Sequence, residues 1–384
     1  MKAFKIIILT SMILLTFSIK AFSLEDKEVE EIKNALEIIY MERNNMFIQG
    51  NITDLPQFFN SQTRYGGWAL DHEVRRIKYL RKWADERGIE FKDISSELHF
   101  RKVTGSGDKA KVLANEYYKF TYVYKENREI ENVFGVGLIH NVDLIKRDYQ
   151  WIINWDWYTD CFEDALKSIS AEIKNIDSPI DRIYTLPVES RVSIDELGDS
   201  EAELRRKKAV SYANKYCGIP WASGFEDRYN KKYKNYTGAG GNCTNYVSQC
   251  LGDKEEGAGL PQWGGWSSTK TKYGQSEGSP AWVNADAFKN YLLYSGKGSL
   301  IKKGEYKDLL SIDSSGNSIF SKLNYGDVIC YSKGGDIDHF AIVTGFDSQG
   351  YPLINSHTTD RFKVPFDLGW GNKNIGFYFI KINY

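Results

Sequence analysis

The sequence predicts an α+β protein: N-terminal helices on a curved antiparallel sheet, followed by a second α+β unit. Three observations lead there. Residues 25–46 and 71–87 carry helical periodicity, residues 95–158 read as consecutive strands, and a new helix–loop–strand pattern begins near residue 203. A chain of 384 residues has length for two such cores. The expected division is a signal peptide over 1–23, an α+β unit over 24–162, a linker over 163–202 and a second unit over 203–384.

Residues 1–23 combine Lys2 and Lys5, an apolar run from Ile6 to Ile19, and small residues at Ala21 and Ser23. That is the pattern of a secretory signal peptide cleaved after Ser23. Lys20 interrupts the run, which is already short for an uncleaved anchor, and no later segment is long enough to span a bilayer. The mature protein is therefore expected to be secreted, with cell-wall association as one destination.

Glu25 to Met46 is expected as a helix with Val29, Ile32, Leu36 and Ile39 inward, and Asp71 to Arg87 as a second, with Val74, Ile77, Leu80 and Trp83 on one side. Strands are expected at 95–105, 109–125, 130–146 and 149–158, punctuated by turns such as Gly105-Ser106-Gly107-Asp108. In the last strand Trp151, Ile153, Trp155 and Trp157 alternate, predicting one aromatic face. His72, His99 and His140 read as structural or surface residues. Residues 163–202, with Ser178-Pro179 and Leu186-Pro187, read as a surface connector.

In the second unit, Glu203 to Tyr216 is a helix. A glycine-rich loop then reaches Gly240-Gly241-Asn242-Cys243, and a helix with Val247, Cys250 and Leu251 inward follows. A thiol at a helix start lies at the positive end of the macrodipole, which favours thiolate. The loop from Gly252 to Pro280 is unusually long, and its Trp263 and Trp266 either line a groove or pin the loop to the body. Trp282 to Leu293 is a further helix. None of the five cysteines forms a Cys-x-x-Cys pair, and disulfides are not expected. The net charge of -1 gives no reason to expect a nucleic-acid partner.

Asp336 to Gly345 reads as a strand with His339 near its start, Asp347 to Gly350 is a turn, and Tyr351 to Thr358 returns. With a type I turn and Gly350 left-handed, Asp347 pairs with Tyr351, His339 falls opposite Thr359 and His357 opposite Ala341. His339, Asn355 and His357 would then share one face. A slip of one residue would reverse His357. Cys243 as nucleophile, His339 as base, and His357 (or Asn355) as orienter make the set of a cysteine hydrolase. Metal binding by His339, His357, Asp336, Asp338 and Asp360 is the rival use of these residues. No metal and no cofactor is expected.

The stretch Gly240 to Leu251 resembles the signature of the putative amidase domain family of Gram-positive bacteria, itself similar to papain-like NlpC and CHAP hydrolases. Ser279-Pro280-Ala281-Trp282, Tyr325-Gly326-Asp327 with Asp338-His339, and Ser356-His357-Thr358-Thr359-Asp360 agree with it. The N-terminal order of elements resembles the cone of the nuclear transport factor 2 superfamily. The first resemblance implies a papain-like core and amide hydrolysis, with peptidoglycan peptides, or other peptides, as substrate. Asn242 departs from it, since many relatives are expected to carry aspartate there. The alternative is a non-catalytic wall- or ligand-binding protein with an inactive papain-like unit.

Overall fold

The computed structural model describes residues 24–173, 191–310, 312, 314, 316–370 and 374–384. The signal peptide expected over 1–23 lies outside these residues, as do the Ser178-Pro179 and Leu186-Pro187 punctuations of the connector. Among the described residues no helix is long and apolar enough to cross a membrane.

Helix α1 (Asp26–Gln49) starts where the Glu28 carboxylate accepts a bond from the Glu25 amide, and it stops at left-handed Gly50. Helix α2 (Arg64–Glu86) begins seven residues before the expected Asp71. Thr63 caps it by accepting from the Gly66 amide at 3.2 Å. Gly66 looks like a helix breaker in sequence, yet a β-carbon there would stand 2.2 Å from the Asn60 carbonyl oxygen.

Four strands follow as an antiparallel meander: β1 (Ile89–Ser106), β2 (Lys109–Tyr124), β3 (Asn127–Arg147) and β4 (Gln150–Trp157). The early start of β1 was hidden by a register shift between Phe91 and Asp93, which breaks its alternation. A second irregularity, opposite Asp143 and Leu144, divides the aromatic face expected on β4. Trp151 and Ile153 are buried, whereas Trp157 is exposed.

The remaining elements are α3 (Glu163–Leu166), α4 (Glu201–Lys215), α5 (Pro220–Ser223), α6 (Cys243–Gly252), the small hairpin β5 (Ser268–Lys270) and β6 (Ser276–Gly278), α7 (Pro280–Val283) and α8 (Ala285–Tyr294). The helix expected from Trp282 is thus two, divided at Asn284, whose side chain caps α8. Then come β7 (Gly298–Glu305), α9 (Tyr306–Leu309), β8 (Val328–Lys333), β9 (Asp336–Phe346), β10 (Pro352–Ser356), β11 (Asp360–Pro365) and β12 (Ile375–Ile382).

These strands join the N-terminal meander in one ten-stranded sheet of order β1-β2-β3-β11-β10-β9-β8-β12-β7, with β4 also on β3. The seam is β3–β11, where Gly135, Val136 and Gly137 pair with Phe362, Arg361 and Asp360. One apolar core runs across it, from Ile32, Val74 and Phe134 to Val343, Phe366 and Phe377. A second lies on the opposite face of the later strands, under α4, α6 and α8.

The space between α1, α2 and the meander holds a buried charge cluster. Arg43 pairs with Glu116, and His140 Nε2 lies 3.1 Å from the other Glu116 oxygen, an ion-pair contact rather than an aligned hydrogen bond. His140 Nδ1 is 3.0 Å from Asp156, which also accepts from the Tyr40 hydroxyl at 2.7 Å. Arg76 lies 3.3 Å from Asp160. Burial opposes charge on His140, but Asp156 and Glu116 outweigh it and raise its pKa to about 9. His140 is thus part of an ionic core, as its expected structural role requires.

A raised histidine pKa contributes stability that is complete below the ordinary 6.5 and is lost as pH rises through 9. We therefore expect the stability difference between wild type and His140→Gln, measured by urea unfolding, to be greatest near pH 6 and to shrink towards pH 9. Breaking such a buried pair costs roughly 3–5 kcal/mol. A difference independent of pH would contradict this assignment.

Candidate active site

Gly240 and Gly241 adopt φ values of 105° and 118°, which turn the chain sharply into α6. Asn242 occupies the cap position but accepts no bond from a backbone amide of the first turn; its Oδ1 accepts instead from Asn245 Nδ2 of α6 at 2.8 Å. Its amide donates to Thr358 Oγ1 at 3.0 Å, and its side-chain Nδ2 donates to His357 Nδ1 at 2.9 Å. Thr358 itself sits at φ 86°, an uncommon conformation for a β-branched residue. The turn after β10 is thereby tied to the start of the Cys243 helix.

All ten residues of α6 are buried. Val247, Cys250 and Leu251 pack into the core as expected. The polar residues between them are anchors: Asn245 accepts from Trp282 Nε1 at 3.0 Å, Ser248 accepts from Trp266 Nε1 at 2.9 Å, and Gln249 accepts from the Tyr212 hydroxyl at 2.9 Å. The two tryptophans of the long loop therefore differ. Trp266 pins the loop to α6, and Trp263 is exposed. Asp327 is likewise structural, since it accepts from Arg206 at 2.8 Å and from the Ile382 amide at 3.0 Å.

The β9–β10 hairpin begins as expected. The Asp347 amide bonds to the Tyr351 carbonyl, and Gly350 is left-handed. Phe346 faces Pro352 and Gly345 faces Leu353, but Val343 then faces Ile354 and Ile342 faces Asn355. Thr344 is the extra residue of a bulge, and it reverses every later side chain. His339 lies on the face of Ala341 and Val343, whereas Asn355 joins the face of Ile342.

His357 and Asn355 are consequently not placed to orient His339. His357 donates from Nε2 to the Tyr216 carbonyl at 2.6 Å, accepts at Nδ1 from Asn242, and is stacked between Tyr229 and Tyr246. Asn355 Oδ1 accepts from Thr344 Oγ1 at 2.7 Å and from the Lys363 amide at 2.8 Å, and its Nδ2 donates to Asn214. Both are buried supports of the second unit.

Cys243 and His339 line one cavity of about 230 Å³, together with Thr358, Arg361, Trp370 and Asp160. His339 stacks on Trp370 at 5.4 Å and packs beside Tyr331. Its Nε2 is buried and has no hydrogen-bond partner among the described residues. Burial, then the Arg361 charge and His357, hold it well below the ordinary imidazole range, so it is neutral. Burial also pushes the Cys243 thiol up, and the Phe340 backbone and the Thr244 hydroxyl and backbone offset this in part. The resting groups are a thiol and a neutral imidazole lining one cavity, not the thiolate that the helix start alone suggested.

Arg361, Trp370 and the segment around Asp160 were not singled out as site residues from the sequence. Arg361 directly follows the Ser356–Asp360 motif, and a lone arginine there was the available signal. Asp160 belongs to the N-terminal unit, and nothing local relates it to Cys243. The acidic residues of the rival metal reading disperse. Asp360 is paired with Arg228 and Tyr229, while Asp338 stands on the cavity wall.

Comparison with known proteins bears on the same region. The profile of the putative amidase domain family matches residues 203–380. Two uncharacterized proteins of Bacillus subtilis (strain 168) are similar. YhbB is 31% identical over 173 residues, covering 42% of this chain and 47% of YhbB. YjcM is 26% identical over 212 residues, covering 53% of this chain and 44% of YjcM. The match thus spans about half the length of these relatives. Among solved structures, the intermembrane space region of chloroplast protein ARC6 aligns at 16% identity with a TM-score of 0.25, over 35% of this chain and 96% of that one. A score that low carries no argument about fold. The matched stretch contains both Cys243 and His339, and likeness to a putative amidase domain suggests hydrolase activity.

Burial outweighs the Tyr216 bond and lowers the His357 pKa to about 3. A depressed histidine pKa contributes stability that is complete above the ordinary 6.5 and is lost as pH falls towards 3. In ¹⁵N-resolved NMR we expect the His357 ring to remain the neutral Nε2–H tautomer down to pH 4. Titration near pH 6.5 would contradict the bonding described.

Proposed function

We propose that this protein is an exported cysteine amidase that hydrolyses amide bonds in peptidoglycan peptides. The observation that carries the reading is the shared cavity of Cys243 and His339, inside the stretch matched by the putative amidase domain profile. Export rests on the signal-peptide pattern of residues 1–23. Peptidoglycan peptides are the substrate class that the family resemblance implies for an exported protein of this kind.

In the proposed reaction neutral His339 accepts the Cys243 proton as the sulfur attacks the carbonyl carbon. The backbone amide of Cys243, at the first position of α6 and thus outside the intrahelical ladder, is the donor for the developing oxyanion. The C–N bond breaks, His339 returns the proton to the departing amine, and a thioester remains. Water, activated by His339, then releases the acid and restores the thiol. Trp370 holds the imidazole plane by stacking, in place of the polar orienter expected from sequence.

A second reading, a ligand-binding protein with an inactive hydrolase unit, is favoured by the unpartnered His339 Nε2 and the raised thiol pKa. Two measurements separate the readings. Purified peptidoglycan treated with wild type should release peptide fragments detectable by mass spectrometry. Cys243→Ala should release none, and His339→Ala should slow release by roughly 10³-fold or more. Equal release by wild type and Cys243→Ala would remove the catalytic assignment. Iodoacetamide near neutral pH should label Cys243 ahead of the four other cysteines, all of which are free and buried. Uniform slow labelling would favour the binding protein.

A further inference from the structure

We infer that the cavity selects a substrate carrying a carboxylate close to the scissile amide, and that Arg361 is the residue that recognises it. The inference rests on the amidase reading for the word substrate, but its physical basis is independent of catalysis. Arg361 is 1% exposed and lines the cavity that Cys243 and His339 share. One guanidinium nitrogen is occupied, with Nη2 donating to the Cys161 carbonyl at 2.7 Å. Nε and Nη1 are buried and have no hydrogen-bond partner among the described residues. No carboxylate lies within ion-pair distance of the group among the described residues.

That is an unusual way to leave a guanidinium. Buried cations are kept where an anion meets them, because an unpaired charge in a dry site is strongly unfavourable. The other buried arginines among the described residues obey the rule: Arg43 has Glu116, Arg76 has Asp160, Arg87 has Asp367 and Arg206 has Asp327. Among the described residues Arg361 is the exception, and it lines the cavity. It is also held in place. The Cys161 carbonyl fixes one end, and its guanidinium carbon stands 5.4 Å from the centre of the Trp370 ring, which also stacks on His339. The donors are therefore positioned before a ligand arrives, at a fixed offset from the catalytic pair.

The remaining lining narrows the ligand. Asp160, Glu163, Asp164 and Asp338 also stand on the cavity wall. A phosphate dianion or a polyanion would be repelled by them. A single carboxylate, seated on Nε and Nη1 by charge-assisted hydrogen bonds, is compatible with that wall. Both a C-terminal carboxylate and an acidic side chain present this chemistry.

The direct test is binding to Cys243→Ala protein by isothermal titration calorimetry, with three probes. N-acetylalanine carries a terminal carboxylate, N-acetylalaninamide carries none, and N-acetylisoglutamine carries one on its side chain alone. Binding of either acid at least tenfold tighter than the neutral amide is expected, and the better of the two identifies the source. Arg361→Gln should abolish the preference, and Arg361→Lys should keep part of it. Equal binding of all three probes, or no binding of any, overturns the inference. The probe comparison on the otherwise unaltered cavity decides the matter even if the Arg361 variants do not fold.

Turnover is read separately, on one peptide in its free-acid and carboxamide forms. A preference in binding with no turnover by wild type would remove the amidase reading and leave the carboxylate site standing. Turnover of both forms at equal kcat/KM, with no preference in binding, would do the reverse.

Discussion

Three residue pairs at the β3–β11 seam determine where the rest of the molecule can go. Asp360 lies against Gly137, Arg361 against Val136 and Phe362 against Gly135. The glycines are what permit it. A β-carbon on Gly135 would stand 2.5 Å from the Trp221 ring, and one on Gly137 would stand 3.2 Å from the Asp360 β-carbon. Trp221 completes the contact by donating to the Tyr118 carbonyl across the same edge. Once β11 is laid on β3, the preceding turn must return to α6, and Arg361 must lie beside the chain that leaves β4. The cavity is formed by that convergence.

The charged interior of the N-terminal unit reaches the same place. Asp160, held below the ordinary carboxylate range to about 2 despite its burial, is paired with Arg76 and His72 at one end of the cluster and lies on the cavity wall. A region to which the sequence assigns no chemistry thus forms part of the pocket that holds the thiol. It supplies a fixed negative wall, the carbonyl that fixes Arg361, and a rigid support for both.

Helix and strand identity was legible in each element read from the sequence, including α1, α6 and β9. What failed was the start of β1 and the single face of β4, where a bulge interrupts alternation, and the start of α2, where a capping residue precedes glycines. Cys243 and His339, which line one cavity, were each singled out because they stand near the start of an element with a clear pattern. Their third partner was misread for one physical reason: the bulge at Thr344 moves His357 and Asn355 to the other side of the sheet. Turn chemistry fixed the first two rungs of that hairpin correctly, but nothing in Ile342-Val343-Thr344-Gly345 announces an extra residue. The seam was invisible because its two strands are more than two hundred positions apart and carry no matching signature. The quoted family segments were legible as motifs, and the structure gives most of their polar residues a task in packing rather than in chemistry.

The complete burial of α6 separates two kinds of change that the chain can undergo. Asn245, Ser248 and Gln249 each hold a partner on another element, so the position of the thiol tolerates little variation. The opposite wall is made from the segment after β4, the turn before β11 and the stretch around Trp370, which are loops and strand ends. Cys243 and the wall opposite it are therefore encoded far apart and under different mechanical constraint. Sequence change can accumulate in that wall without disturbing the placement of the thiol.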